Sequence, residues 1–141
     1  MRIMAIDYGD AHTGIAVSDP TGFLAGFTTV IDAYRPDIAA DRIAALAKEH
    51  GAERLVLGHP INMDGTRGPR SEKAQAMRQL LEETTGLPVV LWDERRTTID
   101  AHQILFNSGK NAKKRKKVVD AVAASLILEG YLTYLKNHPE G

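Results

Sequence analysis

The hydrophobic pattern begins with a short apolar run, Ile3-Met4-Ala5-Ile6, that ends in a carboxylate, Asp7. Gly9-Asp10-Ala11-His12 interrupts it, and Thr13–Ser18 resumes as a second strand, closed by the turn formers Asp19-Pro20-Thr21-Gly22. Phe23–Ile31, rich in aromatic and β-branched residues, reads as a third strand. Short connections between the three predict an antiparallel meander.

After Pro36-Asp37 the period changes. Ala39, Ile43, Leu46 and Ala47 fall on one face of a helix that Gly51 stops. Leu55-Val56-Leu57 is wholly apolar, as suits a buried parallel strand. Residues 58–68 form a polar loop containing Asp64-Gly65. Ser71 is placed to cap a helix carrying Ala74, Met77 and Leu81, which ends at Gly86, and Val89–Trp92 is the fifth strand. Thr97 with Asp100 resembles a capping box opening a helix through Leu105. A basic stretch over 110–117 then leads into a last helix from about Val118 to Lys136.

The order β-β-β-α-β-α-β-α-α predicts an α/β fold with a mixed five-stranded sheet and helices on both faces, the ribonuclease H-like order. With 141 residues and no internal repeat or linker, one domain over 1–141 is expected. The absence of cysteine excludes a disulfide framework or thiolate zinc site and fits a reducing, cytoplasmic setting. The first apolar run is too short for a signal peptide or membrane span. Eighteen basic and eighteen acidic residues cancel, yet Arg95–Lys117 holds eight Lys or Arg and one acid, Asp100. Such a patch suits a nucleic-acid partner despite the neutral total.

Three carboxylate positions carry the candidate chemistry. Asp7 follows Ile3 and Ala5 on one strand face, where burying an unpaired charge is expensive. Its plainer reading is a turn-forming Asp before Tyr8-Gly9. Asp93 and Glu94 end the fifth strand, and their plainer reading is an exposed strand end paired with Arg95 and Arg96. Asp120 shares a helix face with Ala124, Ile127, Tyr131 and Tyr134, and its plainer reading is a helix cap. Together they gain weight, because the carboxyl ends of strands line the crevice of an open α/β sheet. Ala121, Ala123, Ala124 and Ser125 keep the last helix slim enough to approach the sheet. Clustered carboxylates need cations, and hard oxygen donors favour Mg²⁺ or Mn²⁺. Two such ions activate water for phosphodiester hydrolysis without a nucleophilic side chain.

Ile6-Asp7-Tyr8-Gly9, Gly14–Asp19, Gly58–Gly65, Asp93–Thr98 and Asp120–Ala124 with Ile127-Leu128 together resemble the YqgF family, also called RuvX. Its members are pre-16S rRNA nucleases or Holliday-junction-resolvase homologues, and the resemblance spans nearly the whole chain. It implies a ribonuclease H-like fold, bacterial cytosol and a divalent metal. It also implies maturation of the 16S rRNA 5′ end, with the assembling small ribosomal subunit as a partner. The acidic positions it implies are Asp7, Glu94 (or Asp93) and Asp120.

The chain departs from the family at His12, where a basic residue is usual, and at His59, where an aliphatic is usual; His59 reads as a loop residue with a satisfied hydrogen bond. For nucleic-acid contacts, Arg95 suits bidentate phosphate binding, and Asn62 lies in a loop whose amides can face phosphate. Lys113, Lys114, Arg115 and Lys116 supply an electrostatic surface or only a solvated linker. Rival readings are a four-way DNA junction resolvase, an RNA-binding assembly module without turnover, and an ATP-binding fold, for which the chain is too short. Oligomeric state stays open.

Overall fold

The computed structural model describes residues 1–9, 11–19, 25–60, 68–93 and 112–138, with backbone alone for 25 and 112–119. The elements are β1 (Ile3–Asp7), β2 (His12–Ser18), β3 (Ala25–Asp32), α1 (Pro36–His50), β4 (Arg54–His59), α2 (Pro69–Thr85), β5 (Val89–Asp93) and α3 (Ala112–Asn137). The sheet runs in the order β3-β2-β1-β4-β5. The hairpin strands pair antiparallel, while β1–β4 and β4–β5 are parallel. The predicted mixed five-stranded sheet is therefore present. The helix expected over 97–105 lies outside the described residues.

Strand alternation sends successive side chains to opposite faces, and each face has its own core. Met4, Ile6, Ile15, Val17, Leu55 and Leu57 pack with α1 and α2, through Ile43, Ala47, Met77 and Leu81. Ile3, Ala5, Ala16, Val56 and Trp92 pack with α3, through Ala124, Ile127, Leu128 and Tyr131. Helices thus cover both faces. On the α3 side, Trp92 meets the Tyr131 ring edge-on at 5.7 Å, and Arg54 donates a 2.8 Å hydrogen bond to the Tyr131 hydroxyl. That pairing of ring contact and polar tip is how a tyrosine is buried without losing its hydrogen bond. Gly51 and Gly86 end α1 and α2 in the left-handed conformation, φ 67° and 70°, which a side chain would strain.

Three local expectations are corrected. Ser71 does not cap α2: Gly68 is the N-cap, and Ser71 sits inside the first turn, fully buried. His59 is not a loop residue but the last residue of β4, 6% exposed. The run 113–117 is no linker, because α3 is already helical at Ala112. Lys and Arg have good helix propensity, and a reading based on apolar period starts the helix only where apolar residues begin.

Candidate active site at the end of the first strand

Asp7 ends β1, a central strand, half-buried and on the face of Ile3 and Ala5, the face that α3 covers. In the sheet it lies opposite Gly14 of β2. A Cβ placed on Gly14 would collide with the backbone carbonyl of Asp120. Glycine in a strand interior marks such a close backbone approach. Here it lets α3 come down to the sheet at the residue paired with Asp7. Asp120 is half-buried, one helical turn before Ala124, which is fully buried against the sheet. The two carboxylates that the sequence singles out, from near opposite ends of the chain, are thus brought to one face and one end of the sheet.

The third acidic position divides. Asp93 ends β5 opposite His59, in the alternation of Val89 and Leu91, which pack on the α1/α2 side. Trp92 and Val90 face α3 instead. Asp93 therefore belongs to the face away from Asp120. Glu94, Arg95 and Asn62 lie outside the described residues. Lys113, Lys114, Arg115 and Lys116 lie on the α3 backbone, in the two turns before Asp120. With a rise of about 1.5 Å per residue, positions 116 and 113 stand about 6 and 10 Å along the axis from Asp120.

The donor set fits a hard cation. Asp7 and Asp120 offer only oxygens, and two half-buried carboxylates at one strand end repel unless a cation or proton lies between them. Among the described residues no three His, Asp or Glu side chains form a metal cluster.

His12 opens β2 instead of lying in the loop, and its Nδ1 is 2.6 Å from Asp32 Oδ1. This pairing ties it to the end of β3. His59 Nε2 is 2.6 Å from Ser71 Oγ, which also accepts a 3.1 Å hydrogen bond from Gln75 Nε2. The hydrogen bond expected for His59 is present, in a buried structural network on the α1/α2 side. Two features are not foreseen from the sequence: the Gly14–Asp120 approach and the His59–Ser71 pair. The first has a signal in Gly14 itself, a glycine inside a strand. The second has none, since a buried hydroxyl on a helix looks like any other serine.

Among the described residues, no helix is long and apolar enough to cross a membrane.

A family model described as "RuvX: Holliday junction resolvase" matches residues 1–134. A Bacillus licheniformis protein named "Putative pre-16S rRNA nuclease" is 45% identical over 139 residues, 97% of this chain and 100% of that one. A Listeria innocua protein of the same name is 46% identical over 134 residues, 94% of this chain and 97% of its own. Among solved structures, Thermus thermophilus RuvC in complex with a Holliday junction substrate aligns over 95% of this chain and 96% of that one, with a TM-score of 0.63 at 16% identity. That likeness of fold bears out the ribonuclease H-like architecture. The match over nearly the full length, by family model and by relatives alike, makes this chain a member of the RuvX family.

Proposed function

We propose that this chain is a divalent-metal-dependent nuclease that hydrolyses phosphodiester bonds of pre-16S rRNA, with Asp7, Glu94 and Asp120 as its acidic residues. The observation that carries the reading is the approach of the Asp120 carbonyl to Gly14, beside Asp7. The substrate is supported by full-length relatives that carry the pre-16S rRNA nuclease name.

Asp7 is held by a strand paired on both edges, and Asp120 by a helix packed along the sheet, so both carboxylates are positioned before any substrate arrives. Glu94 is preferred to Asp93 as the third ligand, because Asp93 follows the alternation of the opposite face. Mg²⁺ or Mn²⁺ held by these oxygens would supply an activated water and neutralise the leaving oxygen. No side-chain nucleophile is needed. His59 is not the base, since it is bonded to Ser71 in the core of the other face. Arg95, Asn62 and the Lys113, Lys114, Arg115 and Lys116 surface are assigned to phosphate binding.

The test is a side-by-side rate comparison, in Mg²⁺ and in Mn²⁺, on isolated precursor RNA, precursor in assembling small subunits, and four-way DNA junctions. The reading expects weak cutting of isolated RNA and faster, more localised cutting in the assembling subunit. Paired nicking of junctions faster than any RNA cleavage would transfer the assignment to a resolvase.

A further inference from the structure

Beside the end of β1, on the face opposite Asp120, lies a cavity of about 310 Å³. Tyr8, the residue after Asp7, forms one wall and packs against the α1/α2 core. Tyr34 and Pro36 form the second wall, where the chain enters α1. The third wall is one face of α2, with Lys73, Ala76, Met77 and Leu80 at i, i+3, i+4 and i+7.

The tyrosines set this cavity apart from an ordinary gap between helices. Tyr34 is 81% exposed, so packing of the described residues does not account for it. Its backbone is nevertheless tied down. The neighbouring Ala33 N–H donates to the Ala11 carbonyl at 3.0 Å, Pro36 opens α1, and Arg35 pairs with Asp37. With the backbone held, only the two side-chain torsions of the ring remain to be ordered when a ligand stacks on it.

The lining combines two aromatic rings, an apolar floor of Ala76, Met77 and Leu80, and a cationic side chain on the exposed residue Lys73. Those parts match a nucleotide: a flat π-face, an apolar edge and a phosphate. The volume is at the lower end of the ~300–1,000 Å³ range of small-ligand sites, room for one base and not for a stacked run. Position selects the strand over a free nucleotide. Asp7 and Tyr8 are consecutive residues that face opposite sides of the sheet, so a nucleic-acid strand running over the end of β1 passes from one to the other. Gly9 follows Tyr8 directly, and a Cβ on it would lie 2.5 Å from the His12 carbonyl oxygen, so no side chain stands there.

We propose that this cavity is a subsite for one unstacked nucleotide of the RNA strand being cut, its base against Tyr8 and Tyr34 and its phosphate at Lys73. The inference rests on the nuclease reading above and adds a second grip on the same strand. One base held by stacking anchors the strand without reading its sequence, since every base has a π-face.

The test is equilibrium binding, separate from cleavage. The full chain carrying Asp120→Asn is titrated with a short single-stranded RNA containing 2-aminopurine, whose fluorescence is quenched on stacking. Quenching on binding is expected. Adding Tyr34→Ala should abolish the quenching and weaken binding about 5- to 150-fold, the range for removing one stacked aromatic ring. Tyr34→Phe should restore both. Lys73→Gln should flatten the log–log salt dependence by about 0.7 while leaving the quenching in place. Because Tyr34 is a surface residue, its replacement leaves the core intact. Unchanged affinity and quenching in Tyr34→Ala would overturn the subsite and leave the nuclease reading standing. No binding of RNA by the Asp120→Asn protein would overturn both.

Discussion

The backbone carbonyl of Asp120 fills the space that a side chain on Gly14 would occupy, so helix α3 rests on the sheet beside Asp7 with no side chain between them. Gly14→Ala must push α3 outward or distort β2. Overpacking of this kind costs about 1–3 kcal/mol, a Tm loss of about 3–10 °C for a chain of this size. Cleavage should fall further than stability does, because the displaced helix carries a candidate ligand. Calorimetry and rate measurement on one preparation check both; a Gly14→Ala protein of wild-type activity would detach α3 placement from function.

Replacing Asp7 by Asn or Asp120 by Asn should lower cleavage by more than about 100-fold, beyond the ~10–100-fold typical of residues that only support a ligand. Both variants should still fold, and without metal they should melt at or above the wild-type temperature, since one repelling charge is gone. Mg²⁺ at about 100 times its Kd should stabilise the wild type by about 2.7 kcal/mol and the variants less. Melting curves with and without Mg²⁺ supply the readout. Full activity of Asp120→Asn, or of the wild type in excess EDTA, would rule out the carboxylate–metal site.

Ser71→Ala removes the 2.6 Å partner of a histidine that is 6% exposed. A buried polar group left unsatisfied costs about 1–3 kcal/mol. His59→Leu combined with Ser71→Ala removes both ends of the bond, and the pair should cost less than the sum of the single changes. Urea denaturation of the four proteins measures the coupling. Cleavage per folded molecule by Ser71→Ala should stay within about twofold of wild type, and a large loss would make His59 a candidate base.

Changing Lys113, Lys114 and Lys116 together to Gln should weaken RNA binding without moving the cut site. For every phosphate no longer neutralised, the log–log salt slope should flatten by about 0.7 on single strands. The measurement is affinity across a salt series. An identical slope in the triple variant would mean that this end of α3 faces only solvent.

Period and punctuation make most of the fold legible. Gly51 and Gly86 lie where the apolar spacing of α1 and α2 stops, and both adopt the left-handed conformation that such a stop requires. Asp7 and Asp120 are legible because each is a carboxylate at the end of an apolar stripe, an arrangement that packing alone disfavours. The start of α3 is not, since Lys113 to Lys117 carry no apolar period although they are good helix formers. The role of Ser71 is hidden for another reason. Its hydrogen bond to His59 is made across elements, and a capping pattern describes only neighbours along the chain. Tyr34 shows the same limit, because the sequence does not reveal whether a tyrosine beside Pro36 is buried or 81% exposed.

The split of the carboxylate pair between β1 and α3 also bears on synthesis. A ribosome delivers β1 early and α3 late, and contacts between such distant segments close last because the intervening loop must first lose its freedom. Among the described residues, α3 is the element that covers Ile3, Ala5, Ala16, Val56 and Trp92 on their side of the sheet. A nascent or truncated chain therefore lacks half of the acidic pair and displays an apolar surface of the kind that chaperones and proteases act on. Under the proposed nuclease reading, the helix that would complete the acidic site is the same one that covers this face, so an unfinished copy would be both inactive on RNA and open to removal.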